Sequence, residues 1–251
     1  MDRLTRHELK QDEFRETLDQ LEQYVKTHLR EILTVTILIV AVVGLAGGLK
    51  YFYSQQETNA NLELAAALKT FEAYVGPATP ETASAETFAT AREKYQKARE
   101  QFNTIVLKYQ MFPRPKAVSI ARYHVGICES LLGDSAAAIN TLQEVSRDRD
   151  REIASLAQFA LAGEFLRAGK EQEAVKIYRN LADHPSLDVP RSTALLALAE
   201  VLQGSQPARA RQVYEQVQRE YGQDPIVGQA LRQQMAELPP GSGGQPEESR
   251  Q

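Results

Sequence analysis

The chain has 251 residues, of which 43% are hydrophobic and 25% are charged, and its formal net charge is −4. This balance is ordinary for a globular protein, and the lack of a cationic excess argues against a nucleic-acid-binding protein. Because helix-forming residues dominate and alternating runs of β-formers are missing, the composition predicts an all-α fold.

Residues 1–31 form an amphipathic N-terminal segment that we expect to be cytoplasmic. Its apolar positions alternate at spacings of four and three, which is a short heptad seam. This pattern is typical of a coiled coil or a docking helix for a cytosolic partner, and equally of an exposed amphipathic helix that continues into the next segment. The seam positions are Phe14, Leu18, Leu21, Val25, His28 and Ile32.

Residues 32–53 predict a transmembrane helix. The run ILTVTILIVAVVGLAGGL, from Ile32 to Leu49, contains no charge and no proline. At about 1.5 Å per residue it covers most of a hydrocarbon layer of roughly 30 Å, and the aromatic residues at 51–53 suit a membrane–water boundary. A long mixed-charge segment precedes the span and no small-residue cleavage site follows it, which favours an uncleaved anchor over a signal peptide.

The basic residues around the span predict its orientation. Arg15, Lys26 and Arg30 lie before it, whereas Lys50 and Lys69 lie after it. Since basic residues are enriched on the cytoplasmic side, this bias predicts a cytoplasmic N-terminus and a C-terminal part in the periplasm of a Gram-negative cell. The reverse topology, with the C-terminal part in the cytosol, stays open.

Gly44 and Gly48 form a G-x-x-x-G pair within the span. Such a pair permits close approach of another membrane helix, and a homodimer is one interpretation. The other interpretation is that glycine is simply frequent in membrane helices.

Residues 54–84 predict a linker with one helix. A polar stretch from Ser54 to Ala60 leads to a helix from about Asn61 to Tyr74, followed by a break from Gly76 to Pro80. Beyond it, residues 85–238 predict an α-solenoid whose final helix, from about Pro225 to Leu238, caps the stack. Residues 239–251 lack apolar side chains and are expected to be a disordered tail.

The domain at 85–238 shows an internal period. Ala138, Ala174 and Ala210 are spaced by 36 residues, and each is followed by large apolar residues four and seven positions later, as is Ala98. Small and large residues at these spacings share one helix face, so the pattern predicts stacked helix pairs. Glycines precede each small residue in a turn, where Asp134 or Ser205 can cap the following helix.

These residues resemble the tetratricopeptide repeat. Gly126, Gly133, Ala138 and Leu142 stand at its small–turn–small–large offsets, and the next copy follows them at Ala162, Gly169, Ala174 and Tyr178. The third copy differs from this pattern, because Leu198 and Ser205 stand where the small residue and the turn glycine are expected. The copy around Ala98 lacks a clear first helix, because the break at 76–80 intervenes.

The segment LDQLEQYVKTHLR, the span ending in GGLKYFYSQQ and the degenerate repeats together resemble the YfgM-type ancillary subunit of the SecYEG translocon. That resemblance implies an inner-membrane protein with a periplasmic repeat domain that passes secreted proteins to periplasmic chaperones. The segment LKYQMFPRPKAVSIARYHVGICESLLGD is also similar to repeats of outer-membrane assembly and Tol–Pal proteins, which implies a structural subunit that binds one fixed partner.

The resemblance to tetratricopeptide repeats implies a groove lined by the first helix of each repeat. Its groove-facing offsets predict protein-binding residues, several of them apolar, that would suit exposed segments of unfolded clients. The alternative is that these side chains belong to the core. The predicted residues are Tyr123, Ile127, Phe159, Arg167, Leu195 and Gln203.

No pattern of catalysis or cofactor binding is apparent. His124 and Cys128 lie one helical turn apart, but a metal site needs further ligands and none accompanies them. The single cysteine excludes an intramolecular disulfide without identifying the compartment. We therefore expect no enzyme, no cofactor and no metal, and proteins and a membrane as the partners.

Overall fold

The structure is a computed structural model that describes residues 6–77, 86–110 and 114–236, without the side chains of residues 6–24, 32 and 236. It divides into two units, with the boundary between Gln55 and Gln56. The described part is helical apart from two strands of two residues and short turns, which confirms the all-α class. The expected disordered tail at 239–251 lies outside the described residues.

The first unit contains the N-terminal part of helix α1, which runs from Arg6 to Phe71. Its apolar side chains after Leu33 are exposed, including Val43 at 66% and Leu45 at 67%. An exposed apolar surface of this length is typical of a segment that contacts a membrane or another protein. In the described part of the chain, this is the helix long and apolar enough to cross a membrane.

The N-terminal segment is helical from Arg6, with one interruption at His28, whose φ of −109° and ψ of 17° are not helical. His28 is one of the six seam positions. Val25, another, is 41% exposed. The other four seam side chains, at 14, 18, 21 and 32, lie outside the described residues.

The structure differs from the sequence prediction at residues 54–60, which are helical and form no linker. The stretch contains neither proline nor glycine, and Ala60, Leu64 and Ala67 are buried along one face. Their burial stabilises helix α1 through tertiary packing where a polar sequence alone would leave it marginal. The helix predicted to end at Tyr74 ends at Phe71 instead.

Two short strands follow α1. Strands β1 (Tyr74–Val75) and β2 (Thr87–Phe88) pair in parallel, with Tyr74 opposite Thr87. Gly76 has a φ of 147°, a conformation that favours glycine, so the predicted break begins where the sequence placed it. Its remaining residues at 78–80 lie outside the described residues.

The second unit continues as a series of helices, each packed on the next along the chain, with further contacts between α3 and α5 and between α7 and α9. Short connections between consecutive helices make the neighbours antiparallel. The helices are α2 (Ala91–Lys108), α3 (Lys116–Leu131), α4 (Ser135–Val145), α5 (Arg151–Arg167), α6 (Glu171–Asp183), α7 (Arg191–Ser205), α8 (Pro207–Tyr221) and α9 (Pro225–Ala236).

The predicted period corresponds to the core of these helix pairs. Ala138, Ala174 and Ala210 are fully buried, each at the start of the second helix of a pair. Gly126 lies against Leu142, where an added Cβ would be 2.8 Å from the leucine Cγ. The small residues therefore permit close helix crossings, and the fold is a solenoid of degenerate tetratricopeptide-like pairs.

A further pair precedes these three. The last turns of α1, with Ala60, Leu64 and Ala67, share a core with Ala98 and Phe102 of α2. The copy around Ala98 thus has a first helix, contributed by α1, although the sequence prediction found none. Nearly twenty residues separate the two helices, so the spacing within this pair does not match the spacing within the other three.

The turns within pairs follow the prediction in two of three cases. Gly133 and Gly169 have φ of 86° and 71°, which end α3 and α5 in the left-handed conformation. The Asp134 side chain accepts a hydrogen bond from the backbone N–H of Ala137 at 3.2 Å and caps α4. Ser205 does not cap α8: it is the last residue of α7, and its hydroxyl bonds Glu171.

Candidate protein-interaction surface

The six residues predicted to line a groove lie on the first helices of three successive pairs. Three of them are apolar or aromatic side chains that are half-buried, one is buried in the core, and two are polar. They are Tyr123 and Ile127 on α3, Phe159 and Arg167 on α5, and Leu195 and Gln203 on α7.

Tyr123 and Ile127 are half-buried, one helical turn apart on α3. Both pack against a core cluster that includes Leu142 and Leu161. The Tyr123 ring also meets the His124 ring edge-on at 5.2 Å, and burial raises the pKa of the Tyr123 hydroxyl. The two side chains therefore combine a structural contact with a partly accessible surface.

Phe159 has the same character on α5. Its ring is half-buried and packs edge-on against the Tyr178 ring of α6, with centroids 5.2 Å apart. Phe159 also packs against the core cluster that includes Tyr178 and Leu181, so it combines a structural contact with a partly accessible surface.

Leu195 lies in the core and not on the surface. It is 4% exposed and clusters with Leu198, Leu202 and Leu231. Leu231 belongs to α9, which packs on α7 and covers the end of the stack. In the third copy the repeat offset that predicts a groove position therefore falls on a core residue, and Leu195 offers no contact area to a partner.

The two polar positions bond to their own chain. The Tyr214 hydroxyl donates to the Gln203 side-chain oxygen at 3.4 Å, which joins α8 to α7. The Arg167 guanidinium donates to the Ser130 hydroxyl at 2.6 Å and pairs with Glu164. More than half of the Arg167 side chain is exposed, at 56%, so it can also approach a partner.

Glu164 is a fully buried carboxylate that the sequence analysis missed. Besides pairing with Arg167, it accepts a hydrogen bond at 2.7 Å from the hydroxyl of Ser135, the first residue of α4. A buried carboxylate is stable only when charge and hydrogen bonds compensate it. Arg167 therefore stabilises the fold by compensating Glu164, in addition to being exposed for contact with a partner.

His124 and Cys128 belong to an aromatic and aliphatic core. The His124 ring stacks on Phe102 with centroids 4.9 Å apart and meets Phe71 edge-on. Burial lowers the pKa of His124 to about 4 and raises that of Cys128 to about 12. Both groups are neutral at pH 7. Within the described ranges, no cluster of three or more His, Cys, Asp or Glu could hold a metal.

Gly44 and Gly48 lie on the exposed apolar part of α1. A Cβ added at either position would meet no atom within 4 Å. The surface around them is therefore open in this chain and accessible to lipid or to another helix.

Comparison with known proteins finds distant structural matches only. No protein-family model matches the chain, and no curated protein matches it. A crystal structure of a Podosopora anserina putative kinesin light chain with nearly identical TPR-like repeats matches at 16% identity and a TM-score of 0.48. It covers 72% of this chain and 95% of that one. A variant of the same Podosopora protein matches at 16% identity and a TM-score of 0.49, covering 72% and 90%. The fold assignment rests on the helix pairs described above.

Proposed function

We propose that this chain is a membrane-anchored protein-interaction scaffold, with a cytoplasmic N-terminus, a span at residues 32–53 and a repeat domain in the periplasm. One observation carries the proposal. The exposed apolar stretch after Leu33 occurs in the same chain as stacked tetratricopeptide-like pairs, and such pairs form protein-interaction scaffolds.

The state of two reactive groups supports the proposed role in binding. A catalytic base or nucleophile needs a pKa near the working pH. Burial moves the pKa of His124 down to about 4 and that of Cys128 up to about 12, and both side chains pack in the core. The half-buried aromatic rings of Tyr123 and Phe159 instead suit contact with apolar segments of a partner.

The finer proposal is that the scaffold assists secreted or envelope proteins at the translocon together with periplasmic chaperones. It is supported by the resemblance of the span and its flanks to the YfgM-type subunit. The alternative is a structural subunit of an outer-membrane assembly or Tol–Pal type complex, supported by the likeness of the segment around α3. The first predicts many transient clients, and the second predicts one partner in fixed proportion.

Cysteine labelling in spheroplasts tests the topology. Native Cys128 is buried, with a pKa of about 12, so it should resist an impermeant maleimide. A cysteine at exposed Glu215 on α8 should be labelled in intact spheroplasts, whereas one at exposed Glu31 should be labelled only after lysis. The opposite pattern would place the repeats in the cytosol and refute the periplasmic proposal.

Affinity purification of the full chain from a mild detergent tests the scaffold role. A Tyr123→Lys/Phe159→Lys variant that still unfolds cooperatively should lose partners that wild-type protein retains. Because both rings also pack on the core, loss of cooperative unfolding in this variant would identify them as core residues and refute their role in binding. Lys176→Glu, at an exposed position on α6, is the control and should retain the partners. An eluate no richer than that of an unrelated single-span protein would overturn the proposal.

A further inference from the structure

An open cavity of about 490 Å³ lies where the helix pair formed by α5 and α6 packs on α7. All of its lining residues belong to the described part of the second unit, and the six predicted groove residues are not among them. Its lining side chains are those of Leu166 on α5, Glu171 and Tyr178 on α6, and Ala197, Glu200 and Val201 on α7.

The charged groups that line this cavity are carboxylates, those of Glu171 and Glu200. The two basic residues just before α6 do not line it: Arg167 pairs with a buried carboxylate of α5, and the Lys170 ammonium lies 5.7 Å from the centroid of an aromatic ring of α5. Glu171 accepts a hydrogen bond from Ser205. Glu200 is exposed and makes no ion pair or hydrogen bond with the residues that the structure describes. A cation that enters the cavity therefore meets an uncompensated carboxylate.

The Tyr178 hydroxyl is a further polar group in the cavity. The side chain is 5% exposed, and its hydroxyl makes no hydrogen bond within the described ranges. The buried polar atoms found there without a partner belong to other residues, so this hydroxyl reaches solvent through the cavity. Burial, and after it the Glu200 carboxylate, raises the pKa of the hydroxyl, which keeps it neutral. Because a side chain this deeply buried normally has its polar group paired, the free hydroxyl indicates a ligand that donates a hydrogen bond to it.

The other side chains of the lining are apolar and accessible. Leu166, Ala197 and Val201 pack against the core on one side and are half-buried. They offer contact area to the aliphatic stem of a long basic side chain, which packs on apolar surface while its charged end bonds polar groups. A guanidinium suits such walls better than an ammonium, because it is more weakly hydrated and presents several N–H donors in one plane.

The cavity adjoins one of the predicted groove residues. The half-buried Phe159 ring meets the Tyr178 ring edge-on at 5.2 Å, so a partner segment that lies over Phe159 is within reach of the cavity. This neighbour favours a protein side chain as the occupant over a free metal ion. In the described residues, no group of three or more His, Cys, Asp or Glu is placed to hold such an ion.

We propose that this cavity binds an arginine side chain of a partner protein, with the guanidinium donating to the Glu171 and Glu200 carboxylates and to the Tyr178 hydroxyl. The aliphatic part of the arginine lies along Leu166 and Val201. The inference rests on the proposed scaffold function and deepens it, because it specifies the chemistry of one contact: the partner presents a basic residue in an accessible segment.

Binding of a fluorescent peptide to the full chain in detergent, measured by fluorescence anisotropy, tests the proposal. The probe is a short peptide with arginines spaced among alanine and serine, and its control carries uncharged citrulline at each arginine. A Tyr178→Phe/Glu200→Gln variant should bind the arginine peptide at least about tenfold more weakly, because a charge contact and a hydrogen bond to a charged group are both lost. Its unfolding should match that of wild type, since the ring stays in place and Glu200 is exposed.

A Tyr221→Phe/Glu173→Gln variant is the matched control, because it makes the same two chemical changes outside the cavity. It should bind the arginine peptide as wild type does. Equal losses in both variants would show non-specific attraction to an acidic chain and overturn the proposal. So would equal binding of the arginine and citrulline peptides, or no binding of either to wild type. Those results would leave the scaffold role itself standing, because retention of partners in affinity purification tests that role separately.

Discussion

Replacement of Gly126 by alanine tests whether the repeat domain depends on close helix crossing. Gly126 lies in the middle of α3 and is buried. A Cβ built there would lie 2.8 Å from Leu142 Cγ and 2.9 Å from its Cδ2, and Leu142 is itself fully buried. The neighbouring leucine has no solvent side to move toward, so the added methyl group must strain the core.

Two effects of this substitution oppose each other. Alanine favours the helix over glycine by about 1 kcal/mol. Overpacking a filled core costs about 1–3 kcal/mol. We therefore expect Gly126→Ala to lower the free energy of unfolding by up to about 2 kcal/mol. Gly163 in α5 is the control: a Cβ there meets no atom within 4 Å, so Gly163→Ala should stabilise by about 0.5–1 kcal/mol.

The assay is urea unfolding of the full chain in detergent, followed by far-UV circular dichroism. The sign of the effect should differ between the two alanine variants. Shortening Leu142 to alanine should then destabilise the Gly126→Ala protein less than it destabilises wild type, because the strain is relieved. A Gly126→Ala protein as stable as Gly163→Ala would refute the close crossing.

Three further predictions concern buried groups. Arg167→Met should destabilise by about 2–3 kcal/mol, since it leaves the buried Glu164 carboxylate without its charge partner, and adding Glu164→Gln should restore part of that loss, both in urea unfolding. Because burial lowers the pKa of His124 to about 4, the unfolded chain binds more protons below pH 6.5, so stability falls as pH falls. Between pH 7 and pH 5 this group should cost up to about 2 kcal/mol in urea unfolding, and His124→Leu should remove that share of the slope. Leu195→Lys should abolish cooperative thermal unfolding, whereas Glu200→Lys on the same helix should leave it intact, because Leu195 is buried and Glu200 is exposed.

The parts of the fold that follow from local rules were predictable. Gly133 ends a helix because its φ of 86° favours glycine, and Asp134 caps the next helix through a bond to a backbone N–H. Ala138 and Leu142 share a face because they are one turn apart. Each of these features depends on residues close in sequence, so a single chain reveals them.

The parts that depend on distant contacts were not predictable. Residues 54–60 look like a linker because their composition is polar, yet Ala60 is buried against the core that α2 and α3 complete. Leu195 occupies a groove offset, yet it is buried in the core that α6 to α9 share. The spacing of the repeats and the composition of a segment do not reveal which distant helix will pack on a given face of a helix.

Polar contacts between successive pairs explain how degenerate repeats keep one register. The Arg167 guanidinium reaches Ser130 of the preceding pair, Ser135 reaches Glu164, and Ser205 reaches Glu171 of the pair before it. An apolar face of alanine and leucine tolerates a shift along the helix, since one methyl contact replaces another. A buried carboxylate does not, because a shift leaves it without compensation. In the third copy the Ser205–Glu171 bond is exposed to solvent, so it specifies the register less strongly than the buried Glu164 contacts do.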